Sequence, residues 1–220
     1  MLKADRIKKM KVKEVDPKLK GRLPAGQVLT ERFPILHEGE VPEYEMDTWD
    51  FKIFGEVEET VTMSYTDLLK LPQTTVKCDI HCVTRWSKFD TEFTGVKVQD
   101  LFEHYGIKPS GKFVMVHGDH DYETNLTVQM LLDDDVLLAH SYDGKPLSKK
   151  HGWPLRLVLP KLYFWKSAKW VRGFEFMEED KRGFWESNGF HNNANPFKEE
   201  RFSSDDMYLP EDEWEKKDFD

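Results

Sequence analysis

The residues best suited to chemistry lie in one short stretch, Cys78-Asp-Ile-His-Cys-Val-Thr-Arg-Trp-Ser87, which holds both cysteines of the chain. Three kinds of chemistry fit it. Two small thiols buried in a strand need no function, because free cysteine packs like a small hydrophobe. A zinc site could draw on Cys78, His81 and Cys82, but a closed structural site needs four ligands and no second cysteine cluster follows. A single reactive thiolate is the third. Arg85 and Lys88 stand close by in sequence and would lower a thiol pKa, and a thiolate is a soft ligand suited to molybdenum or a similar ion. A dithiol function for Cys78 and Cys82 is disfavoured, since four residues of extended strand separate two Cα atoms by more than a disulfide spans.

A second polar cluster follows downstream, His151-Gly-Trp-Pro-Leu-Arg-Leu-Val-Leu-Pro160, and then Tyr163-Phe-Trp-Lys-Ser-Ala-Lys-Trp170. Taken alone, Arg156 reads as a surface residue on a strand whose leucines face the core. Lys166 and Lys169 taken alone read as a basic face.

Together these segments resemble the sulfite oxidase superfamily. His81-Cys82-Val83-Thr84-Arg85-Trp86-Ser87 is similar to its C-V-x-x-W-S segment, His151 to Pro160 to its N-G-x-P-x-R-x-x-x-P, and Tyr163 to Lys169 to its Y-x-x-K-x-x-K. Gly183-Phe184-Trp185 and Asn193-Ala194-Asn195-Pro196 resemble its closing elements. The resemblance is strongest to the branch of the bacterial methionine sulfoxide reductase molybdoenzyme. It implies an oxidoreductase with molybdopterin and molybdenum, tungsten being the alternative metal, in an α+β fold of mixed sheets.

The resemblance also implies roles. Cys82 is the metal ligand, and Cys78 is not. Arg156 grips the cofactor phosphate with its planar fork, Lys169 adds a point charge, and the small Ser167 and Ala168 let the backbone approach. His151 stands where the family has Asn and can hydrogen-bond the cofactor. Arg32, in the loop Thr30-Glu31-Arg32-Phe33-Pro34, is a further candidate, with Phe33 read as packing and His117-Gly118 as a strand end near the cofactor. Apart from the resemblance, the nearness of Arg85 to Cys82 in sequence suggests that it attracts an anionic or polar oxygenated substrate. The expected reaction is oxygen-atom transfer to or from a small S- or N-oxide or sulfite-like molecule. A non-catalytic binding or scaffold protein of the same fold is the alternative.

The elements that must position these residues are legible in part. Trp49, Phe51 and Ile53 alternate with polar residues and predict a strand ending at Gly55. Tyr65–Leu71 predicts a helix capped by Ser64, Val98–Tyr105 one stopped by Gly106, and Thr127–Leu132 a helix start. Thr75–Val83, Phe113–Val116 and Trp170–Phe176 read as strands. Val136–Ser141 and Leu155–Leu159 flank the turn Asp143-Gly144. Lys20–Pro42 should be extended surface chain. Strands and short helices intermix, which favours an α+β domain over a doubly wound one. No G-x-G-x-x-G, P-loop or C-x-x-C-H motif occurs, so neither NAD nor haem is expected.

The chain has 220 residues, 39% of them hydrophobic, enough for one core without staples. Its net charge of -9 argues against nucleic-acid binding. Residues 1–22 carry nine Lys/Arg against three Asp/Glu, and residues 199–220 carry ten Asp/Glu against three Lys/Arg. The expected organisation is a basic arm over 1–24, a molybdopterin-binding domain over 25–200 and an acidic tail over 201–220. No apolar run spans a bilayer, and the first residues lack the apolar middle of a secretory signal. A cytoplasmic monomer is expected, exchanging electrons with a separate partner.

Overall fold

The structure, a computed structural model, describes residues 17–19, 21–37 and 39–203. Most of the basic arm and of the acidic tail lies outside these residues. Eleven strands are found among them: β1 Val28–Leu29, β2 Asp50–Gly55, β3 Val61–Ser64, β4 Thr74–His81, β5 Trp86–Lys97, β6 Phe113–Gly118, β7 Glu123–Thr127, β8 Leu137–Tyr142, β9 Lys145–Pro146, β10 Arg156–Val158 and β11 Val171–Met177. The helices are short: α1 Tyr65–Lys70, α2 Val98–Tyr105, α3 Val128–Leu131 and α4 Phe184–Ser187.

The strands form two mixed sheets, as the intermixed pattern predicts. One runs β1-β5-β8-β10, with β4 on β5 and β9 on β8; the other runs β3-β2-β11-β6-β7. In each, a single parallel pair (β1 with β5, β11 with β2) sits among antiparallel ones. Alternation explains β2: Phe51 and Ile53 are fully buried while Lys52 between them is exposed. Ser64 caps α1 through a complete capping box with Asp67. In α2, Val98, Leu101 and Phe102 are buried at helical spacing, and Gly106 ends the helix at φ 64°.

Two expectations need correction. The turn Asp143-Gly144, with φ 46° and 71°, joins β8 to the two-residue β9; β10 returns to pair with β8 by a separate route. Primed turns match strand twist, so the signal was right and the partner strand was not. The stretch Lys20–Pro42 is not wholly superficial either, because Leu23 and Gln27 are buried.

The main core lies between the sheets and α2, and it includes Cys82, Val83, Tyr163 and Trp165. A smaller cluster of Ile80, Phe93, Leu137, Ala139, Leu147, Val158 and Phe164 packs with Phe33, Trp86 and Tyr142. No helix of the described residues is long and apolar enough to cross a membrane.

Candidate functional site

Cys82 sits in the turn between β4 and β5. Its N–H donates to Trp86 O at 2.9 Å, and Arg85 N–H donates back to Cys82 O at 3.0 Å. Arg85 adopts a left-handed φ of 75° to close the turn. Three bonds from two distant segments fix this turn. Gln27 donates to Cys82 O at 3.0 Å, Val28 N–H to Arg85 O at 2.8 Å, and Arg201 Nη1 to Val83 O at 2.8 Å.

The thiol of Cys82 is buried, with Sγ 3.1 Å from Thr84 Oγ1. Burial pushes its pKa up, against the pull of Thr84 and of the charges on Arg201 and Lys169. This corrects the expectation of a lowered thiol pKa. Lys88 instead gives its ammonium to Glu31 O at 3.1 Å, and Arg85 donates from Nη1 to Gly26 O at 3.3 Å. A bound metal would deprotonate the thiol outright. The zinc reading finds no support: among the described residues no three His, Cys, Asp or Glu side chains could hold a metal together. His81 Nδ1 is bonded to Ser87 Oγ at 2.8 Å, and Cys78 lies against Thr91.

The second part of the site is a pair of cations. Arg156, on β10, is 1% exposed rather than a surface residue. Its Nη1 donates to His151 O at 3.0 Å and its Nη2 to Ser167 O at 3.1 Å, with the guanidinium carbon 4.4 Å from the Phe164 ring centroid. Burial pushes its pKa down to about 9. Lys169 donates to Leu36 O and Lys150 O, both at 2.7 Å. Burial lowers it to about 7, with Arg156 acting the same way and Cys82 opposing. Among the described residues neither cation forms an ion pair with a carboxylate. Gly152, at φ 108°, lets the 151–152 turn close on them, since a Cβ there would lie 3.0 Å from Arg156 Cβ and 3.2 Å from Lys169 Cβ.

The other sequence-predicted residues divide. His151 joins the cluster: its ring stacks on Phe33 at 4.3 Å, with Nε2 3.2 Å from Phe33 O and Nδ1 2.9 Å from Ser148 Oγ. Ser167 Oγ accepts from Leu159 N–H at 2.9 Å, which leaves its hydroxyl proton to donate. The amides of Ser167 and Ala168 are bonded to Phe164 O and Lys166 O. Arg32 is exposed, and its side chain makes no hydrogen bond to the cluster among the described residues. His117 has both ring nitrogens beside carboxylates, Glu123 at 2.9 Å and Glu175 at 3.0 Å. Lys166 lies on no basic face. It is fully buried, 2.7 Å from Glu186. Sequence reading missed Gln27 and Arg201, which carry no motif that flags them, and gave Tyr163 no role although it opens the Y-x-x-K-x-x-K segment.

Whether these residues fit a phosphate-bearing pterin with a metal can be judged from their unpaired atoms. Five buried polar atoms here have no hydrogen-bond partner: Gln27 Oε1, Trp86 Nε1, Arg156 Nε, Tyr163 OH and Arg201 Nε. Buried polar atoms are seldom left so. Donors predominate, beside two cations without carboxylates and a soft thiol. That set fits an anionic, oxygen-rich group holding a thiolate-bound metal.

The comparisons agree. The family model "oxidoreductase molybdopterin binding domain" matches residues 38–185, so the chain belongs to this family, the molybdopterin domain of the sulfite oxidase superfamily, and is a molybdenum oxidoreductase. It is 43% identical over 186 residues to the uncharacterized oxidoreductase YuiH of Bacillus subtilis (strain 168), covering 84% of this chain and 94% of that one. It is 29% identical over 175 residues to the protein-methionine-sulfoxide reductase catalytic subunit MsrP of Campylobacter jejuni, covering 70% of this chain and 59% of that one. The sulfane dehydrogenase SoxCD from Paracoccus pantotrophus shares the fold, with a TM-score of 0.58 and 26% identity over 65% of this chain and 41% of that one.

The lowered Lys169 pKa carries a testable sign. In the unfolded chain the ammonium returns to its ordinary 10.5. Between pH 7 and 10.5 the unfolded state therefore binds the extra proton, so Lys169 contributes stability that grows with pH. The cost of the buried charge is fully present below pH 7. In cofactor-free protein, the stability of wild type relative to Lys169→Met should rise between pH 7 and 9 by up to about 1.4 kcal/mol per pH unit. Urea midpoints across that range measure it. A pH-independent difference would mean that Lys169 stays protonated.

Proposed function

We propose that this protein holds molybdopterin between Cys82 and the Arg156–Lys169 cluster and catalyses oxygen-atom transfer to or from a small S- or N-oxide or sulfite-like substrate. The observation that carries the reading is the pair of inward cations, Arg156 and Lys169, bonded only to backbone carbonyls beside a buried thiol. Two such charges lower the stability of an empty protein and complement a phosphate. Arg156 would grip that phosphate, with Lys169 and the Ser167 hydroxyl beside it, His151 would meet the pterin, and Cys82 would ligate the metal. Molybdenum, with tungsten as the alternative metal, supplies two-electron redox chemistry when bound; the chain orients the group and limits access of water.

The relatives named above support an oxidoreductase, and their range of substrates leaves the direction of transfer to experiment. Electrons would come from or go to a separate partner. Neither NAD nor haem is part of the reading, nor is nucleic acid, and the protein is read as a cytoplasmic monomer.

The test is metal and pterin analysis of protein made in a host that synthesises molybdopterin. About one molybdenum or tungsten per chain is expected, with a matching amount of pterin. Folded protein containing neither would favour the non-catalytic scaffold instead.

A further inference from the structure

We propose that Thr84 is a positioning residue that tunes the metal through its ligand, its hydroxyl and its amide both donating hydrogen bonds to Cys82 Sγ. The proposal rests on the molybdopterin reading, in which Cys82 ligates the metal, and adds to it what sets the donor strength of that sulfur.

The Thr84 hydroxyl lies 3.1 Å from Cys82 Sγ. In a free thiol either atom can donate. A thiolate only accepts, so in the ligating state the hydroxyl gives its proton to the bond with sulfur. The Thr84 amide also bonds the sulfur, and it favours the anion as the hydroxyl does. Both donors come from one residue, two positions after the cysteine.

The turn holds them there. Arg85 N–H donates to Cys82 O at 3.0 Å and closes the chain over Val83 and Thr84, with Arg85 at φ 75°. The carbonyl of Val83 and the N–H of Thr84 belong to one planar trans peptide and point opposite ways. Arg201 Nη1 holds that carbonyl at 2.8 Å from one side. The N–H is thereby aimed to the other side, toward the sulfur. A distant residue thus fixes one donor, and the Thr84 side chain, half-buried, supplies the second.

A hydrogen bond to a metal-bound sulfur draws electron density away from it, and the sulfur then gives less to the metal. The higher oxidation state loses more by this than the lower one. The reduced state is favoured, and the potential rises. Hydrogen bonding at a ligating sulfur is one of the levers by which proteins set the potential of metal–thiolate sites, and groups that bond a ligand shape the metal's behaviour alongside the ligand itself.

The test uses full-length, cofactor-loaded enzyme, wild type beside Thr84→Val and Thr84→Ser, with metal content measured first. Thr84→Val keeps the shape and removes the hydroxyl donor. In a redox titration followed by the metal's absorption, its oxidised-to-reduced ratio at a fixed applied potential should rise about tenfold, the scale of a lost hydrogen bond to a charged group, which is about 30 mV for a two-electron couple. The sulfur-to-metal absorption band should move to longer wavelength. Thr84→Ser keeps the hydroxyl and should match wild type in both. A ratio and band unchanged in Thr84→Val, or changed equally in Thr84→Val and Thr84→Ser, overturns the proposal. Loss of metal from both Thr84→Val and Thr84→Ala overturns it too, since Thr84 would then serve assembly of the site. A wild type without metal or pterin sinks the molybdopterin reading and this proposal with it, whereas full metal content with an unmoved band sinks the proposal alone.

Discussion

Cys82→Ser is expected to reduce turnover by at least a factor of about 100, since loss of groups that merely orient a metal ligand already costs 10- to 100-fold. The change is nearly isosteric in a buried turn whose geometry comes from backbone bonds to Trp86 and from Gln27. Folding should therefore survive, and the loss should be chemical, because a hydroxyl is a hard, weakly acidic donor where a soft thiolate is needed. Metal content and the metal's absorption spectrum should change with it. Cys78→Ser should leave activity intact, since Cys78 only lies against Thr91 with Sγ 3.5 Å from its hydroxyl. Near-normal activity of Cys82→Ser, or its loss in Cys78→Ser, would reverse the assignment.

The second large effect concerns stability. Lys166 and Glu186 form an ion pair of 2.7 Å with both side chains fully buried. Trp165 Nε1 and the Thr124 hydroxyl also donate to Glu186, each at 2.9 Å, and Lys166 gives further bonds to Asn125. Glu186→Ala strands the ammonium and two neutral donors in an apolar interior. It should cost on the order of 3–5 kcal/mol, which for a chain of this size lowers Tm by roughly 10 °C. A double replacement, Lys166→Met with Glu186→Leu, should recover much of the loss, because an apolar pair leaves no charge unpaired. Calorimetry on cofactor-free protein measures both; a Glu186→Ala penalty below about 1 kcal/mol would show that water reaches Lys166.

Much of the fold was legible where hydrophobic period and capping chemistry agree, as in β2, α1 and α2. The strand β5 was not. Its inward positions include Thr91 and Gly95, which carry no apolar signal, and Gly95 is small because a Cβ would meet Leu138 O at 2.1 Å. In the site, Cys82, Arg156 and Lys169 stood out because side-chain chemistry and spacing coincide. The burial of Arg156 did not, since a three-residue strand has too few positions to reveal which way it faces. Arg85 and Lys88 misled because nearness in sequence is not nearness in space. The charges acting on the thiol come from Arg201 and Lys169, positions that only tertiary packing brings to the turn.

One hydrogen bond links regions far apart in the chain. Arg201 Nη2 lies 3.2 Å from Ala25 O, while its Nη1 reaches the residue after Cys82. Ala25 and Arg201 thus meet at the cysteine-bearing turn. A circular permutant that joins the chain at Ala25 to the chain at Arg201 would need no long bridge, because these two positions are already neighbours. By the same geometry, a redox module fused through a short linker at either position would begin beside the cysteine turn, so gene fusion is a direct route to supplying electrons at this site.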